Sequence, residues 1–224
     1  MSKQYNEKET ILTKLRELSS TLLADSMNYE NVMDYHIKPV NYKEPLVGQV
    51  RTVSVYPGDN LYLHYAIYES NPGDILVVDC KGSTYAACLG NLMAAAAEKM
   101  GIKGIIVDGL VRDKQDLSDM DIQIYSKGFV PTGPRKNGPG TFDDTISCGG
   151  IQVHSGDFVI GDEDGVVIIP HEKIEESIIS AEKKLAYENK RLQKIMEFNL
   201  NEQHNDTSAL EPAWLRDAIK NNSQ

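Results

Sequence analysis

The order of apolar segments in the middle of the chain predicts an α/β fold. Residues 75–78 form a continuous apolar run, which is typical of a strand buried on both faces. An alanine-rich segment at 91–100, closed by Gly101, predicts a helix. Residues 104–107 form a second buried strand. Strand, helix and strand in this order predict a right-handed βαβ unit, with its loops at the carboxyl ends of the strands.

The amino-terminal part of the chain predicts helices first and a strand later. Leucine and isoleucine recur at helical spacing over residues 9–27, which form either one helix or two short ones. Residues 47–55 alternate apolar and polar side chains, as a half-buried strand does. A helix is predicted at 61–69, and Asp59 or Asn60 is its candidate cap.

The second half of the chain predicts short strands, a basic loop and a long helix. The strands are predicted at 121–126, 151–153, 157–160 and 166–169. A segment rich in proline, glycine and basic residues at 131–140 predicts a loop, and a charged helix is expected over 172–199. Since no second core is indicated, we expect one domain over residues 1–199 and a polar carboxyl-terminal extension at 200–224.

Composition is that of a globular protein and excludes several classes of partner. The 224-residue chain is 41% hydrophobic and 25% charged. Its net charge of −10 argues against general binding of phosphate backbones, so we expect no direct nucleic-acid partner. No apolar run is long enough to cross a bilayer, and the polar amino terminus is not a secretory signal. The odd number of cysteines, without paired spacing, indicates reduced thiols and a cytoplasmic location.

The usual signatures of several enzyme classes are missing from the sequence. The five histidines are scattered and include no close pair at metal-ligand spacing. We find no nucleophile elbow, no phosphate-binding glycine loop and no dinucleotide fingerprint. A methyltransferase is rejected because no glycine-rich loop follows the first strand to hold a methyl donor.

An arginine and an aspartate stand side by side after the strand at 104–107. Asp108 and Gly109 are expected to break that strand. Arg112 and Asp113 then lie at an edge where open α/β sheets bind ligands. Arginine binds a carboxylate through two parallel hydrogen bonds, and aspartate holds hard divalent cations. A 2-oxo acid bound to magnesium needs both groups, so the run predicts such a site.

Each of these side chains also has a structural interpretation. Arg112 either clamps a substrate carboxylate or pairs with a neighbouring aspartate. Asp113 either binds the metal, caps a helix or pairs with Arg112. Asp116 either orients Arg112 or a metal-bound water, or lies on an exposed helix. Arg135 and Lys136 either meet a second substrate carboxylate or serve a turn or subunit contact, and we slightly favour the latter.

Several short motifs occur together in the order and spacing of a known family. They are Pro57-Gly58-Asp59-Asn60, residues 72–79, Leu89-Gly90-Asn91-Leu92, residues 108–113, Gly133-Pro134-Arg135 and residues 162–166. Over residues 22–191 the chain resembles the RraA-like family. That family includes 4-hydroxy-4-methyl-2-oxoglutarate aldolases, which also decarboxylate oxaloacetate, and regulators of ribonuclease E activity. The resemblance implies a swivelling β/β/α-type fold, with amino-terminal helices and a long carboxyl-terminal helix. It also implies a homotrimer, sometimes doubled to a hexamer, with sites between subunits.

The resemblance implies that the start of the alanine-rich helix binds substrate. Free N–H groups at a helix start favour an anion, and in the family these amides help to hold the carboxylate of pyruvate. Gly90, Asn91, Leu92 and Met93 occupy this position, with Leu92 and Met93 acting through their main chain. Many aldolases of the family carry Asp or Glu where this chain has Asn91, and asparagine cannot accept the proton of a substrate hydroxyl.

The resemblance also implies the catalytic residues and the reaction. Arg112 would bind the 1-carboxylate, Asp113 would hold Mg²⁺ or another divalent cation such as Mn²⁺, and Glu188 would reach a neighbouring subunit's site. We therefore expect a metal-dependent lyase that forms pyruvate, by oxaloacetate decarboxylation or by retro-aldol cleavage of 4-hydroxy-4-methyl-2-oxoglutarate-type substrates. The alternative is a regulator without enzymatic activity that binds a ribonuclease or another RNA-processing protein.

Overall fold

The computed structural model of the protein describes residues 2–199 and 208–222, with the side chains of residues 2–7 and 209 left aside. Contacts between residues divide the chain into one unit from Met1 to Ala181 and another from Glu182 to Gln224. The predicted extension at 200–224 falls partly outside the described residues. Its described part holds a short helix at Leu215–Asn221, where the sequence predicted only a polar segment.

The first unit is built on a sheet to which nine strands of the described chain belong. These are β1 (Lys38–Pro39), β2 (Leu46–Val55), β3 (Asp74–Asp79), β4 (Ala87–Leu89), β5 (Gly104–Val111), β6 (Gln123–Phe129), β7 (Gly140–Phe142), β10 (Phe158–Gly161) and β11 (Val166–Ile169). Strands β8 (Ile146–Cys148) and β9 (Ile151–Val153) form a separate hairpin. The helices are α1 (Ser2–Arg16), α2 (Ser20–Ser26), α3 (Leu61–Glu69), α4 (Asn91–Lys99), α5 (Lys114–Ser118), α6 (Ile174–Glu197) and α7 (Leu215–Asn221).

The centre of the sheet is parallel and its margins are antiparallel. The strand order is β1-β6-β5-β3-β2-β10-β11, with β4 paired to β5 and β7 paired to β2. Strands β2, β3, β5 and β6 run parallel, whereas β1, β10 and β11 pair antiparallel. The predicted βαβ unit is therefore present as β3-α4-β5. The α/β fold with amino-terminal helices and a long carboxyl-terminal helix is confirmed.

Both faces of the sheet are covered, which explains the continuous apolar strands. On β3, Leu76 and Val78 join the cluster under α3 and α4, whereas Ile75 and Val77 join the cluster on the other face. Alternate residues of a strand point to opposite faces, so a strand buried on both must be apolar throughout. Within the described chain, no helix is long and apolar enough to cross a membrane.

The prediction that Asp108 and Gly109 break the strand is wrong. Strand β5 continues to Val111, although its register with β6 shifts between Val107 and Leu110. The last two residues of β5, Leu110 and Val111, pair with β4 on one side and with β6 on the other. Gly109 is needed for packing, because a Cβ atom at this position would lie 2.9 Å from Cys80 Cβ. The strand therefore carries the chain further, directly to Arg112.

A polar network fixes the loop before β1 to the sheet. Lys127 Nζ lies 2.9 Å from Asp34 Oδ2 and 2.5 Å from Asp108 Oδ1. Asp108 Oδ2 accepts a 2.6 Å hydrogen bond from the Gly149 main chain. The hydrogen bond from Lys127 holds the pKa of Asp34 well below its usual range. Burial opposes the charge of Lys127, but the two carboxylates raise its pKa overall.

We expect Lys127→Met to lower the free energy of unfolding by about 2 kcal/mol at pH 7, because it removes the ammonium group that the carboxylates of Asp34 and Asp108 share in a partly screened site. A carboxylate with a depressed pKa stabilises the fold above the ordinary pKa of about 4 and loses that effect on acidification. The deficit should therefore shrink below about pH 4. Urea unfolding at pH 7 and pH 3 measures both values. Lys43→Met, at the exposed pair with Asp121, is the control and should change little.

Candidate functional site

The short strand β4 leads directly into the start of helix α4. Gly90 caps the helix with an extended backbone, φ −145° and ψ −178°. Its carbonyl oxygen accepts hydrogen bonds from the main-chain N–H groups of Met93 at 3.2 Å and Ala94 at 3.1 Å. The Met93 side chain is buried, whereas Leu92 is 86% exposed. The first turn of α4 therefore presents Leu92 to solvent and anchors Met93 in the core.

Arg112 and Asp113 join β5 to helix α5 through a tight turn. The Arg112 main-chain N–H donates to the Leu89 carbonyl at 3.0 Å, which fixes the turn to the end of β4. Asp113 has left-handed backbone angles, φ 63° and ψ 45°. Asparagine and aspartate tolerate this conformation better than other residues with a Cβ atom. The turn brings the Asp113 carboxylate against the start of α4.

The two segments converge on a single carboxylate oxygen. Asp113 Oδ2 accepts a 3.0 Å hydrogen bond from the Asn91 main-chain N–H. Arg112 Nε lies 3.7 Å from the same oxygen. A Cβ atom on Gly90 would lie 2.6 Å from Asp113 Oδ2 and 3.0 Å from Arg112 Nε. Glycine is therefore required at position 90 by the close approach of these side chains.

The Asn91 side chain has a fixed partner that the sequence did not indicate. Its Nδ2 group donates to Asp116 Oδ2 at 3.1 Å, across 25 residues of sequence. Asp116 lies on the first turn of α5. Asp116 thus orients the amide of Asn91, and Asn91 is held at both its main chain and its side chain.

The site remains open to solvent. The side chains of Arg112 and Asp113 are 43% and 39% exposed. On one side, Gly133 approaches so closely that a Cβ atom there would lie 2.8 Å from Arg112 Nη1. Both charged groups can therefore contact a small ligand while their positions are set by the chain around them.

The remaining predicted residues lie on other parts of the chain. Glu188 belongs to α6 within the second unit, where its Oε1 lies 3.9 Å from Lys184 Nζ. Its action on a neighbouring subunit stays a prediction. Arg135 serves a turn through its main chain, with its N–H donating to Gly58 at 2.8 Å and its carbonyl accepting from Asn60 at 3.1 Å. The Arg135 and Lys136 side chains are exposed.

Asp113 is the candidate residue for holding a divalent cation here. Among the described residues, no group of three or more His, Cys, Asp or Glu side chains is placed to hold a metal. Its Oδ2 atom is bound to the Asn91 amide, and Oδ1 has no hydrogen-bond partner in the described chain. Magnesium suits such a site, because it keeps several waters and uses one or two carboxylates together with substrate oxygens.

The thiols are poorly suited to nucleophilic chemistry. Cys80, Cys88 and Cys148 are free and buried. A hydrogen bond with Cys88, together with burial, raises the pKa of Cys80 well above its usual value. Burial raises the pKa of Cys148 in the same way. Since the thiolate is the reactive form, these residues act as small core side chains.

Comparisons with known proteins agree on one family. The sequence profile of the RraA-like family (Aldolase/RraA) matches residues 20–168. A Halalkalibacterium halodurans protein provisionally named 4-hydroxy-4-methyl-2-oxoglutarate aldolase is 36% identical over 175 residues, 78% of this chain and 83% of that protein. The 4-hydroxy-4-methyl-2-oxoglutarate aldolase of Thermus thermophilus is 30% identical, over 69% and 93% of the two chains. The solved structure of the Thermus thermophilus RNA-processing inhibitor RraA superposes with a TM-score of 0.62 at 30% identity, over 67% and 92% of the two chains.

Proposed function

Since the chain belongs to the RraA-like family, we propose that it is a divalent-metal-dependent carbon–carbon lyase that forms pyruvate from short 2-oxo acids. Its relatives are named as aldolases. The observation that carries the proposal is the convergence of Arg112, Asp113 and the Asn91 amide at Gly90. This arrangement combines a carboxylate-binding cation with a carboxylate able to hold a metal.

Each residue has a defined role in this proposal. Arg112 binds the substrate's 1-carboxylate. The start of α4 lines the same site, although the main-chain N–H groups of Asn91 and Met93 already donate to Asp113 and Gly90. Asp113 would hold Mg²⁺. When bound, the cation would polarise the 2-oxo group and stabilise negative charge on its oxygen. Arg112 adds to that stabilisation, because its guanidinium keeps a fixed positive charge beside the reacting atoms.

Decarboxylation of oxaloacetate is the simpler of the two reactions for this site. The bond between C3 and the C4 carboxylate breaks, carbon dioxide leaves, and the electron pair forms the enolate of pyruvate. A proton then adds to C3. Retro-aldol cleavage forms the same enolate but also needs a base to remove a hydroxyl proton. The amide of Asn91 cannot supply that base, so Glu188 from a neighbouring subunit of a homotrimer or hexamer is our candidate.

Magnesium dependence provides the direct test. Purified protein with millimolar Mg²⁺ should release pyruvate from oxaloacetate much faster than Mg²⁺ does without the protein. Excess chelator should abolish this difference in rate. Adding Mg²⁺ or Mn²⁺ back should restore it. A panel of 2-oxo acids, including 4-hydroxy-4-methyl-2-oxoglutarate, would then rank the substrates. A protein-dependent rate that is indifferent to chelator would contradict the metal requirement.

A regulatory function is the second candidate, and one observation favours it. The solved RNA-processing inhibitor RraA shares the fold at 30% identity. The net charge of −10 would suit a basic surface on a ribonuclease or another RNA-processing protein. Inhibition of a purified ribonuclease together with failure to turn over any 2-oxo acid would favour regulation over catalysis.

A further inference from the structure

The pair of Arg112 and Asp113 has little net charge with which to attract a cation. Arg112 Nε lies 3.7 Å from Asp113 Oδ2, so the guanidinium offsets much of the negative charge of that carboxylate. A divalent cation held by Asp113 would also be repelled by the same arginine. Proteins hold Mg²⁺ with one or two carboxylates, together with waters and substrate oxygens. A second acidic group beside Asp113 would therefore strengthen the binding of a cation.

Asn91 joins Asp113 to a second carboxylate, that of Asp116. The main-chain N–H of Asn91 donates to Asp113 Oδ2 at 3.0 Å, and its Nδ2 group donates to Asp116 Oδ2 at 3.1 Å. These contacts cross 22 and 25 residues of sequence. The first residue of α4 thus bridges two carboxylates at the beginning of α5, and it brings both of them to the candidate site.

The two hydrogen bonds determine which oxygen atoms remain for a ligand. An ionised carboxylate accepts hydrogen bonds and donates none, so the amide nitrogen of Asn91 is the atom that contacts Asp116. The amide oxygen of Asn91 is therefore left for another partner. The Oδ1 atoms of Asp113 and Asp116 likewise accept no hydrogen bond within the part of the chain that the structure describes. All three oxygens can accept hydrogen bonds from water that a hard cation keeps.

The place of Asp116 is fixed by the core, and its charge is not taken up by the nearby lysine. The next residue, Leu117, is fully buried, and its main-chain N–H donates to the Asp113 carbonyl at 3.0 Å. Lys114 Nζ lies over the ring of Phe129, 5.0 Å from its centroid. Within residues 2–199 and 208–222, Asp116 has no ion-pair partner, and its side chain is exposed. The carboxylate is therefore held in place and is available to a ligand.

We propose that Asp116 is a positioning residue of the cation site, which holds the amide of Asn91 and supplies a second negative charge beside Asp113. The inference rests on the proposed function, in that Asp113 holds a divalent cation. Because water weakens the attraction at an exposed site, one added charge a few ångströms away is worth about tenfold in affinity for a divalent cation. Asp116 acts on the affinity for the metal and touches no reacting atom.

Binding of Mn²⁺ alone measures this effect without substrate or turnover. The electron paramagnetic resonance signal of free Mn²⁺, followed during titration of the chelator-treated full-length protein, gives the Kd. We expect Asp116→Asn to raise this Kd about tenfold. The new amide can still accept the hydrogen bond from Asn91 through its oxygen, so a purely structural role would leave the Kd unchanged. Asp119→Asn makes the same change in net charge three residues further along, and it should alter the Kd by less than about twofold.

Exchange of the two bridged residues provides a second variant. Asn91→Asp combined with Asp116→Asn restores the net charge and reverses the direction of the hydrogen bond, so the Kd should return to within about threefold of the wild type. Failure of the exchange to restore binding would overturn the inference. So would an unchanged Kd in Asp116→Asn, or equal weakening in Asp119→Asn.

The same titration separates this inference from the proposed function. If the wild type bound no Mn²⁺, the metal requirement of the proposed function and the role of Asp116 would both be wrong. If the wild type bound Mn²⁺ and Asp116→Asn bound it equally well, the role of Asp116 alone would be wrong.

Discussion

Replacement of Asp113 by asparagine is expected to lower magnesium-dependent pyruvate release by about a hundredfold or more. Asparagine retains the size of the side chain and its tolerance of the left-handed backbone observed at this position. It also keeps an oxygen able to accept the hydrogen bond from the Asn91 main chain. What it removes is the negative charge that would hold the cation. Steady-state kinetics over a range of Mg²⁺ concentrations measure the loss.

The control for this substitution is Asp119→Asn. Asp119 follows α5 and is exposed, with a 3.4 Å hydrogen bond from Gln115. Its removal makes the same change in net charge and should leave the rate close to wild type. Unfolding temperatures of all three proteins should agree closely. If Asp113→Asn retained the full rate with an unchanged requirement for Mg²⁺, another residue would have to hold the metal.

Gly90→Ala is expected to reduce pyruvate release by about a hundredfold while the chain still folds. The new methyl group would lie 2.6 Å from Asp113 Oδ2 and 3.0 Å from both Cγ and Nε of Arg112. The backbone of Gly90 is extended rather than left-handed, so alanine brings no strain of its own. The substitution therefore acts on the geometry of two side chains, and a displacement of about 1 Å can cost this much activity.

Gly133→Ala provides a graded comparison at the same site. Its Cβ atom would meet Arg112 Nη1, which is the far end of a flexible side chain. The guanidinium can give way, so we expect a loss of about tenfold, mainly in KM. Circular dichroism and thermal unfolding should confirm that both variants are folded. If Gly90→Ala and Gly133→Ala had equal and small effects, the crowding at Gly90 would not be important for activity.

Much of the fold could be predicted because its signals are local. The apolar run of β3 and the alanine-rich helix α4 follow from periodicity alone, and each lies within a residue or two of its predicted bounds. The extent of β5 could not be predicted in this way. Its pairing with β4 and β6 outweighs the turn preference of Asp108 and Gly109, and such pairing depends on distant residues. Strands β4, β7 and β8 were not predicted, although β9, of the same three-residue length, was.

The candidate site was predictable only in part for the same reason. Arg112 and Asp113 are adjacent in sequence, so their closeness at the end of β5 could be predicted directly. The contact between Asn91 and Asp116 joins residues 25 positions apart and has no sequence signal of its own. The crowding of Gly133 against Arg112 depends on how the loop folds back over β4. An alignment of covarying positions is the kind of signal that would reveal such contacts.

The two attachments of Asn91 have a consequence for how this protein can diverge. The bond to Asp113 uses the main-chain N–H, which every residue except proline possesses. A mutation at position 91 to any residue except proline therefore leaves this main-chain contact of the candidate site intact and changes only the group offered toward Asp116. Aspartate there would meet a second carboxylate at close range and bind a proton more tightly. One codon change can thus exchange an amide for a proton acceptor, so members of the lineage can gain or lose acid–base chemistry without rebuilding the site.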